Sequence, residues 1–359
     1  MSIPSDPGGE LRRPQLFLAM ALSFVLVLGV ISAALFFNRQ PTSSQGRSPT
    51  ETSTPSVTAT PTPTPTPTPA APPPPPPETE PPRAAMNILL IGSDIRGNAR
   101  EAEAARSATG QRPDHRADAL MLVHVPADRH AVYGVSLMRD MWVNIPGYGG
   151  SKINASLEAG GVPMVTQTVG SLLNTPIHHT VLVDFEGFRW MVNAVGGVEV
   201  NVTVPFTSTS ESRHYFPPGM NRLMGNEALQ FVRERYAFSD GDYQRVRNQQ
   251  TLLRAVLTEA HKKNWLADPA AARSLISQVF PLMTVDQSMD ATSLAWLAYS
   301  LRSTGQVVFF TLPTAGTGFS PDGQSIVLQD PAATAAVGAA FAEGRIGEYV
   351  AANGLGGGN

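Results

Sequence analysis

The stretch ALMLVHVPADRHAVYGVSL, Ala119 to Leu137, decides the fold. Two apolar runs, Ala119–Val125 and Ala131–Leu137, flank PADRH (Pro126–His130), which is rich in turn formers. Apolar runs of this length read as buried strands, and so short a connection makes them pair antiparallel. Upstream, NILLIG (Asn87–Gly92) is a third run of the same kind. Downstream, VPMVTQTVGSLLN (Val162–Asn174) spaces its apolar residues by three and four, as a helix does. Phe185–Val195 and Val246–His261 also read as helices, and HTVLVDF (His179–Phe185) and GVEVNV (Gly197–Val202) as strands. Strands alternating with helices predict an α/β fold: a layered α-β-α domain with a mixed central sheet.

Polar residues cluster at the strand ends of this sketch. Asp94 follows the first strand in IGSDIR, Arg116 and Asp118 precede the second in HRADAL, and Arg139 and Asp140 follow the third in SLMRDM. The hairpin sets Arg139 beside Arg116 and Asp118. Asp94 joins them if the first strand runs parallel to the third. Carboxylates interleaved with arginines on one rim hold a cation and an anion together, as phosphoryl chemistry requires.

Composition excludes several alternatives. A formal net charge of -3 argues against a basic footprint, so no nucleic-acid partner is expected. With no cysteine there is no disulfide, thiolate metal site or cysteine nucleophile. Adjacent His178 and His179 would alternate sides of a strand, which disfavours a shared metal. LFLAMALSFVLVLGVISAALFF, Leu16–Phe37, is uncharged and long enough to cross a hydrocarbon core of about 30 Å. It reads as a signal anchor with the bulk of the chain outside the cell membrane. Beyond it, PTPTPTPTPAAPPPPPP cannot build a core and favours polyproline II. As an extended stalk, Thr54–Pro82 would reach on the order of 90 Å. The expected organisation is a cytoplasmic tail (1–15), a transmembrane anchor (16–37), a disordered linker (38–85), an extracytoplasmic catalytic domain (86–349) and a flexible tail (350–359).

ILLIGSD, RADALMLVHV, VSLMRDMWVNIPG, SKINAS, VDFEGF, VGGVEV and ALQFVRERY…GDYQRVRNQQ follow one another in this chain. In that order and spacing, behind a signal anchor, they resemble the LytR-CpsA-Psr family. The resemblance covers most of Met86 to about His261. It implies an enzyme of the bacterial cell envelope that takes an anionic glycopolymer, such as a teichoic acid, from a polyprenyl-pyrophosphate carrier. The polymer would pass to peptidoglycan, releasing polyprenyl phosphate, usually with Mg2+ (Mn2+ is the alternative). The partners implied are that lipid-linked polymer, peptidoglycan and the cytoplasmic membrane.

Residue by residue, the resemblance implies Asp94 and Asp118 as metal ligands, with Arg116 and Arg139 completing the catalytic group. The pyrophosphate would meet Arg116, Arg139, Lys152, Arg233, Arg235, Asp242, Arg245 and Gln249. Arginine suits this role because its planar fork makes bidentate charged hydrogen bonds to phosphate. Arg233 and Arg235 project to one side only if the helix begun near Asn226 loosens before Arg235. Asp242, Arg245 and Gln249 share one helix face, whereas Arg247 points elsewhere. The family commonly has an arginine where this chain has Asn248. The helices at Val162–Leu173, Phe185–Val195 and Val246–Leu257 are expected to supply an apolar slot for the lipid. Asp94 or Asp118 is the first candidate for general base. A binding protein without turnover, or a pyrophosphatase using water, would draw on the same residues.

Overall fold

The structure, a computed structural model, describes residues 80–93, 116–210, 212–264 and 268–355. The expected membrane segment, most of the proline-rich stretch, and Asp94 lie outside the described residues. β1 (Met86–Ser93), β2 (Ala117–Val125) and β3 (Ala131–Leu137) pair antiparallel in succession, so β1 runs parallel to β3 as the rim argument requires. β6 (His179–Asp184) adds to β1 in parallel and β12 (Gln306–Thr311) to β3 in parallel. The short β11 (Thr284–Val285) closes the far edge antiparallel, giving the order β11-β6-β1-β2-β3-β12. The central sheet is therefore mixed.

Successive side chains on a strand alternate sides, and here both sides are apolar. Leu89, Ile91, Leu120 and Leu122 enter one core, with α1 (Ala155–Leu173), α7 (Pro331–Ala342) and α8 (Ile346–Ala352). Ile88, Met121, Val123 and Val181 enter the other, with α2 (Phe185–Ala194), α3 (Gly225–Arg233), α4 (Asp242–Lys262), α5 (Pro269–Val279) and α6 (Ala291–Ser300). α6 and β12 both follow Met283 in the chain.

Two helices begin earlier than their apolar spacing indicated. α1 starts at Ala155 and kinks at Gly160–Gly161, where Gly161 has φ +67. Pro163 follows the kink and has no amide to donate. α4 starts at Asp242, ahead of Val246, as the shared helix face of Asp242, Arg245 and Gln249 requires. One expectation is corrected outright. α1, counted among the slot helices, packs on the opposite face of the sheet. The slot lies among α2, α3 and α4. α3 meets α2 closely at its start, where a Cβ on Gly225 would stand 2.3 Å from the carbonyl oxygen of Arg189.

Candidate active site

The ends of β1, β3 and β6 and the beginning of β2 share one edge of the sheet. In the β1–β2 ladder Gly92 faces Ala119 but Ser93 faces Ala117, leaving Asp118 as an extra residue. This is a β-bulge, a device that re-aims a side chain. Strict alternation from Leu120 would send Asp118 into the fully packed core. The bulge instead turns it to the side of Ala119 and Met121, where it borders a cavity. Asp118 thus lies within β2 rather than ahead of it.

Arg139 and Asp140 form the turn after β3. Their carbonyls accept from Asn154 N (3.1 Å) and Val327 N (2.9 Å), which fixes the turn from two sides. Arg139 Nη1 is bonded to Asp118, and its Nε lies 3.6 Å from Asp140 and 3.9 Å from Asp242. Lys152, at the end of β5 (Gly149–Lys152), lies 3.6 Å from the same Asp140 carboxylate and does not line the cavity.

α3 ends at Arg233 because Glu234 adopts an extended conformation, φ -64 and ψ 132. The helix therefore loosens before Arg235, as expected. Glu234, only 4% exposed, holds the bend. Its carboxylate accepts from the amides of Thr209 (2.6 Å), Arg235 (3.0 Å), Tyr236 (2.9 Å) and Ala237 (3.1 Å). Burial alone would raise its pKa, but these bonds outweigh it and keep the carboxyl below its ordinary range. Arg233 stacks over the Phe185 ring at 4.2 Å. Arg235 lies 3.6 Å from Asp242 and 3.9 Å from Asp140, with its guanidinium over the Tyr236 ring.

The first turns of α4 complete the rim. Arg245 bonds Asp242 at 2.9 Å, and its side chain is 5% exposed. Burial pushes the Asp242 carboxyl up and, with Arg245 pulling it down, the neighbouring Asp140 adds to the rise. Burial likewise lowers the Arg245 pKa, against the pull of Asp242. Gln249 faces the cavity and donates to the Val232 carbonyl at 3.3 Å. Arg247 is turned away, bonded to Asp240 and Gln244.

Beside these groups lies a cavity of about 1420 Å³. Its floor is the sheet face of Leu90, Met121, Val181 and Val183, and its walls include Phe188, Met191, Leu229 and Leu252 from α2, α3 and α4. Arg116, Asp118, Arg139, Arg233, Arg235, Arg245 and Gln249 all border it as well. The Nε atoms of Arg139 and Arg245 are buried with no hydrogen-bond partner. A buried donor left unpaired costs about 1–3 kcal/mol, more when charged, so the rim is incomplete without an acceptor.

Fold, rim and cavity agree with one further finding. The sequence profile described as "LytR_cpsA_psr family" matches residues 60–337. The chain belongs to this family. Among relatives of this LytR_cpsA_psr protein, the Bacillus cereus polyisoprenyl-teichoic acid–peptidoglycan teichoic acid transferase TagU is 36% identical over 207 residues, 57% of this chain and 62% of that one. The Enterococcus faecalis protein of the same name is 32% identical over 241 residues, 67% and 73% of the two chains. The crystal structure of B. subtilis TagV shares the fold, with TM-score 0.60 at 24% identity, covering 73% of this chain and 98% of that one. Several curated relatives are matched over only 53 to 62% of their own length.

Sequence reasoning places Asp140 at the end of the third strand without a role, and does not single out Glu234. Asp140 lies within reach of Arg139, Lys152 and Arg235, and its only signal was its place in RD after a strand. Glu234 sits between two arginines in RER, where it looks like an exposed helix acid. Asn248, directly before the paired glutamines, is buried. It donates to the Phe231 carbonyl at 3.1 Å and accepts from Gln244 at 2.9 Å, tying α4 to α3. His178 and His179 take separate partners, His178 accepting from Asn87 N at 2.9 Å and His179 lying 3.4 Å from Asp286. Among the described residues no group of three or more His, Asp or Glu is arranged to hold a metal.

Proposed function

We propose that this protein transfers an anionic glycopolymer from a polyprenyl-pyrophosphate carrier to peptidoglycan, working outside a membrane in which Leu16–Phe37 anchors it. The observation that carries this reading is the joining of a large cavity, with an apolar floor, to a rim of guanidinium groups with unpaired buried donors. A cavity of about 1420 Å³ exceeds the roughly 300–1,000 Å³ of ordinary ligand pockets. Burying an aliphatic chain there would contribute about 0.8 kcal/mol per methylene. The relatives' printed names point to teichoic acid and peptidoglycan as the substrate classes.

In this mechanism the lipid lies against Met121, Leu229 and Leu252, and the pyrophosphate meets Arg245, Arg139, Arg235, Arg233 and Arg116. An acceptor hydroxyl attacks the sugar-linked phosphorus. A new P–O bond forms to the acceptor, the bridging P–O bond breaks, and polyprenyl monophosphate leaves. The hydroxyl proton passes to a rim carboxylate, of which Asp118 borders the cavity. Arg245 and Arg139 stabilise charge gathering on the phosphoryl oxygens; one positioned donor of this kind is worth about 3–4 kcal/mol. Asp140 and Lys152 set the position of the Arg139 and Arg235 guanidiniums. Asp118 is a hard oxygen ligand of the sort magnesium takes, and Asp94 would be its companion. A bound divalent ion would neutralise phosphate charge.

The full chain in detergent, given a polyprenyl-pyrophosphate-linked saccharide, tests the proposal. Polyprenyl phosphate is expected to appear only with peptidoglycan present, to stop in EDTA and to return with magnesium. Binding without release would favour a carrier-holding protein, release without acceptor a pyrophosphatase, and undiminished turnover in EDTA would remove the metal.

A further inference from the structure

A second, smaller hollow of about 160 Å³ opens on another side of α4, against the end of β7 (Val198–Val202). Gln244, Arg247, Asn248, Thr251 and Arg254 of α4 line it, with Asn201 of β7 opposite. Spacing by three and four puts Gln244, Arg247, Thr251 and Arg254 in one stripe, turned from the stripe of Asp242, Arg245 and Gln249 that meets the large cavity. Among the described residues the wall of this hollow contains no aspartate or glutamate. It is a donor-rich space with arginine at both ends, two helical turns or about 10 Å apart.

The two arginines differ. Arg247 is already engaged by Asp240 and Gln244. Arg254 makes one long hydrogen bond, to the Phe309 carbonyl at 3.4 Å, and lies 5.3 Å from the centre of the Phe309 ring. No carboxylate pairs with it among the described residues. Burial depresses its pKa and no neighbouring acid offsets this. A guanidinium has five donors, and a cation taken out of water is ordinarily paired. At about 30 Å³ per water, the hollow holds roughly five waters. One oxyanion with part of its hydration shell fits; a lipid or a sugar chain does not.

We propose that this hollow is a second oxyanion site, separate from the cavity rim, which takes one phosphate or carboxylate group on Arg254 with Thr251 and Asn201 as neutral partners. The fork of Arg254 matches the oxygens of either group. Thr251 adds a hydroxyl and Asn201 an amide, while the Asn248 amide is spent on the Phe231 carbonyl. The source of the anion is either a free ion or a charged group along a glycopolymer.

Calorimetric titration of the full chain with inorganic phosphate tests this. An Arg245→Ala background weakens the competing rim. Arg254→Gln in that background should remove one equivalent of bound phosphate, or weaken it at least about tenfold. Arg254→Lys, which keeps the charge and loses the fork, should fall between. Should Arg254→Gln not fold, Thr251→Val keeps the shape of the side chain and should weaken the same equivalent several-fold. Phosphate binding unchanged by Arg254→Gln, or by Thr251→Val where Arg254→Gln does not fold, overturns the site, as does the absence of any phosphate binding in the Arg245→Ala chain. A short poly(glycerol phosphate) that competes for this equivalent assigns it to a polymer's phosphodiester. An oligomer that does not compete leaves the site to the free ion.

Discussion

The two faces of the central sheet share one apolar pattern and end differently. On one face Leu89, Ile91 and Leu122 are at most 2% exposed beneath α1 and α7. Those helices approach so closely that a Cβ on Gly338 would stand 2.1 Å from the Leu173 carbonyl oxygen. On the other face Leu90, Met121 and Val183 alternate as regularly, yet they border a void of about 1420 Å³. Protein interiors normally pack to the density of organic crystals, so the open face forgoes contacts that the closed face makes. Alternation announces a face that needs covering; it does not say what covers it. One face is covered by the chain's own helices, the other, in our reading, partly by a substrate's lipid.

The strongest test of that comparison lies at the mouth of the open face. Arg245→Ala is expected to lower polyprenyl phosphate release by about a hundredfold or more, because its fork meets charge that develops only in the transition state. Melting temperature measured alongside separates this from lost folding, since Asp242 would lose its closest partner. A loss of only a few-fold in a folded variant would make the rim a solvated edge.

Next in size is the cost of deleting apolar atoms on each face. Leu122→Ala leaves a cavity in closed packing and should cost about 2–5 kcal/mol in denaturant unfolding. Met121→Ala, on the neighbouring residue but facing the void, should cost clearly less. Equal costs would show that the open face is closed in solution.

Filling the void sharpens the contrast from the opposite direction. Leu229→Trp adds bulk where there is room, so stability should hold while donor binding weakens at least about tenfold, by loss of buried methylenes. The same enlargement at Leu122 should overpack and destabilise by about 1–3 kcal/mol. Unchanged donor affinity in Leu229→Trp would place the lipid elsewhere.

A smaller effect concerns the bend that aims Arg235. Glu234 has a depressed folded pKa, so its stabilisation is present above its ordinary value of 4.5 and is lost as pH falls through the folded value. Glu234→Gln should therefore melt below wild type at pH 7, and the gap should close as the pH is lowered below 4.5. A gap that persists undiminished into acid would mean the carboxylate charge does not hold the bend. Smallest of all, Arg345→Ala, in an exposed cluster with Glu343 and Glu348, should leave release and melting temperature unchanged within measurement.

Much of this could be read from local pattern. The strand pair β2–β3, the strand β1 and the helix–strand pair β6–α2 follow from runs and periodicities a few residues long. The gathering of Arg116, Asp118 and Arg139 followed from hairpin geometry alone. The end of α3 before Arg235 followed from asking what two arginines two residues apart need. Lys152 was less legible: type and motif suggested an anion ligand, but the hairpin carrying it brings its ammonium to Asp140. The bulge at Asp118 has no sequence signal, since Ala117 and Ala119 permit either register.

The sequence by itself therefore determined the kinds of element, the adjacency of the rim residues and the family, because these depend on interactions close along the chain or on residue type. Only the tertiary structure decided which helices cover which face, why Glu234 is buried, that Asp140 joins the rim and that α1 has no part in the slot. Those outcomes depend on packing between segments far apart in the chain. An apolar helix stripe buries equally well against either face of a sheet, and no local pattern distinguishes the face that closes from the one that stays open.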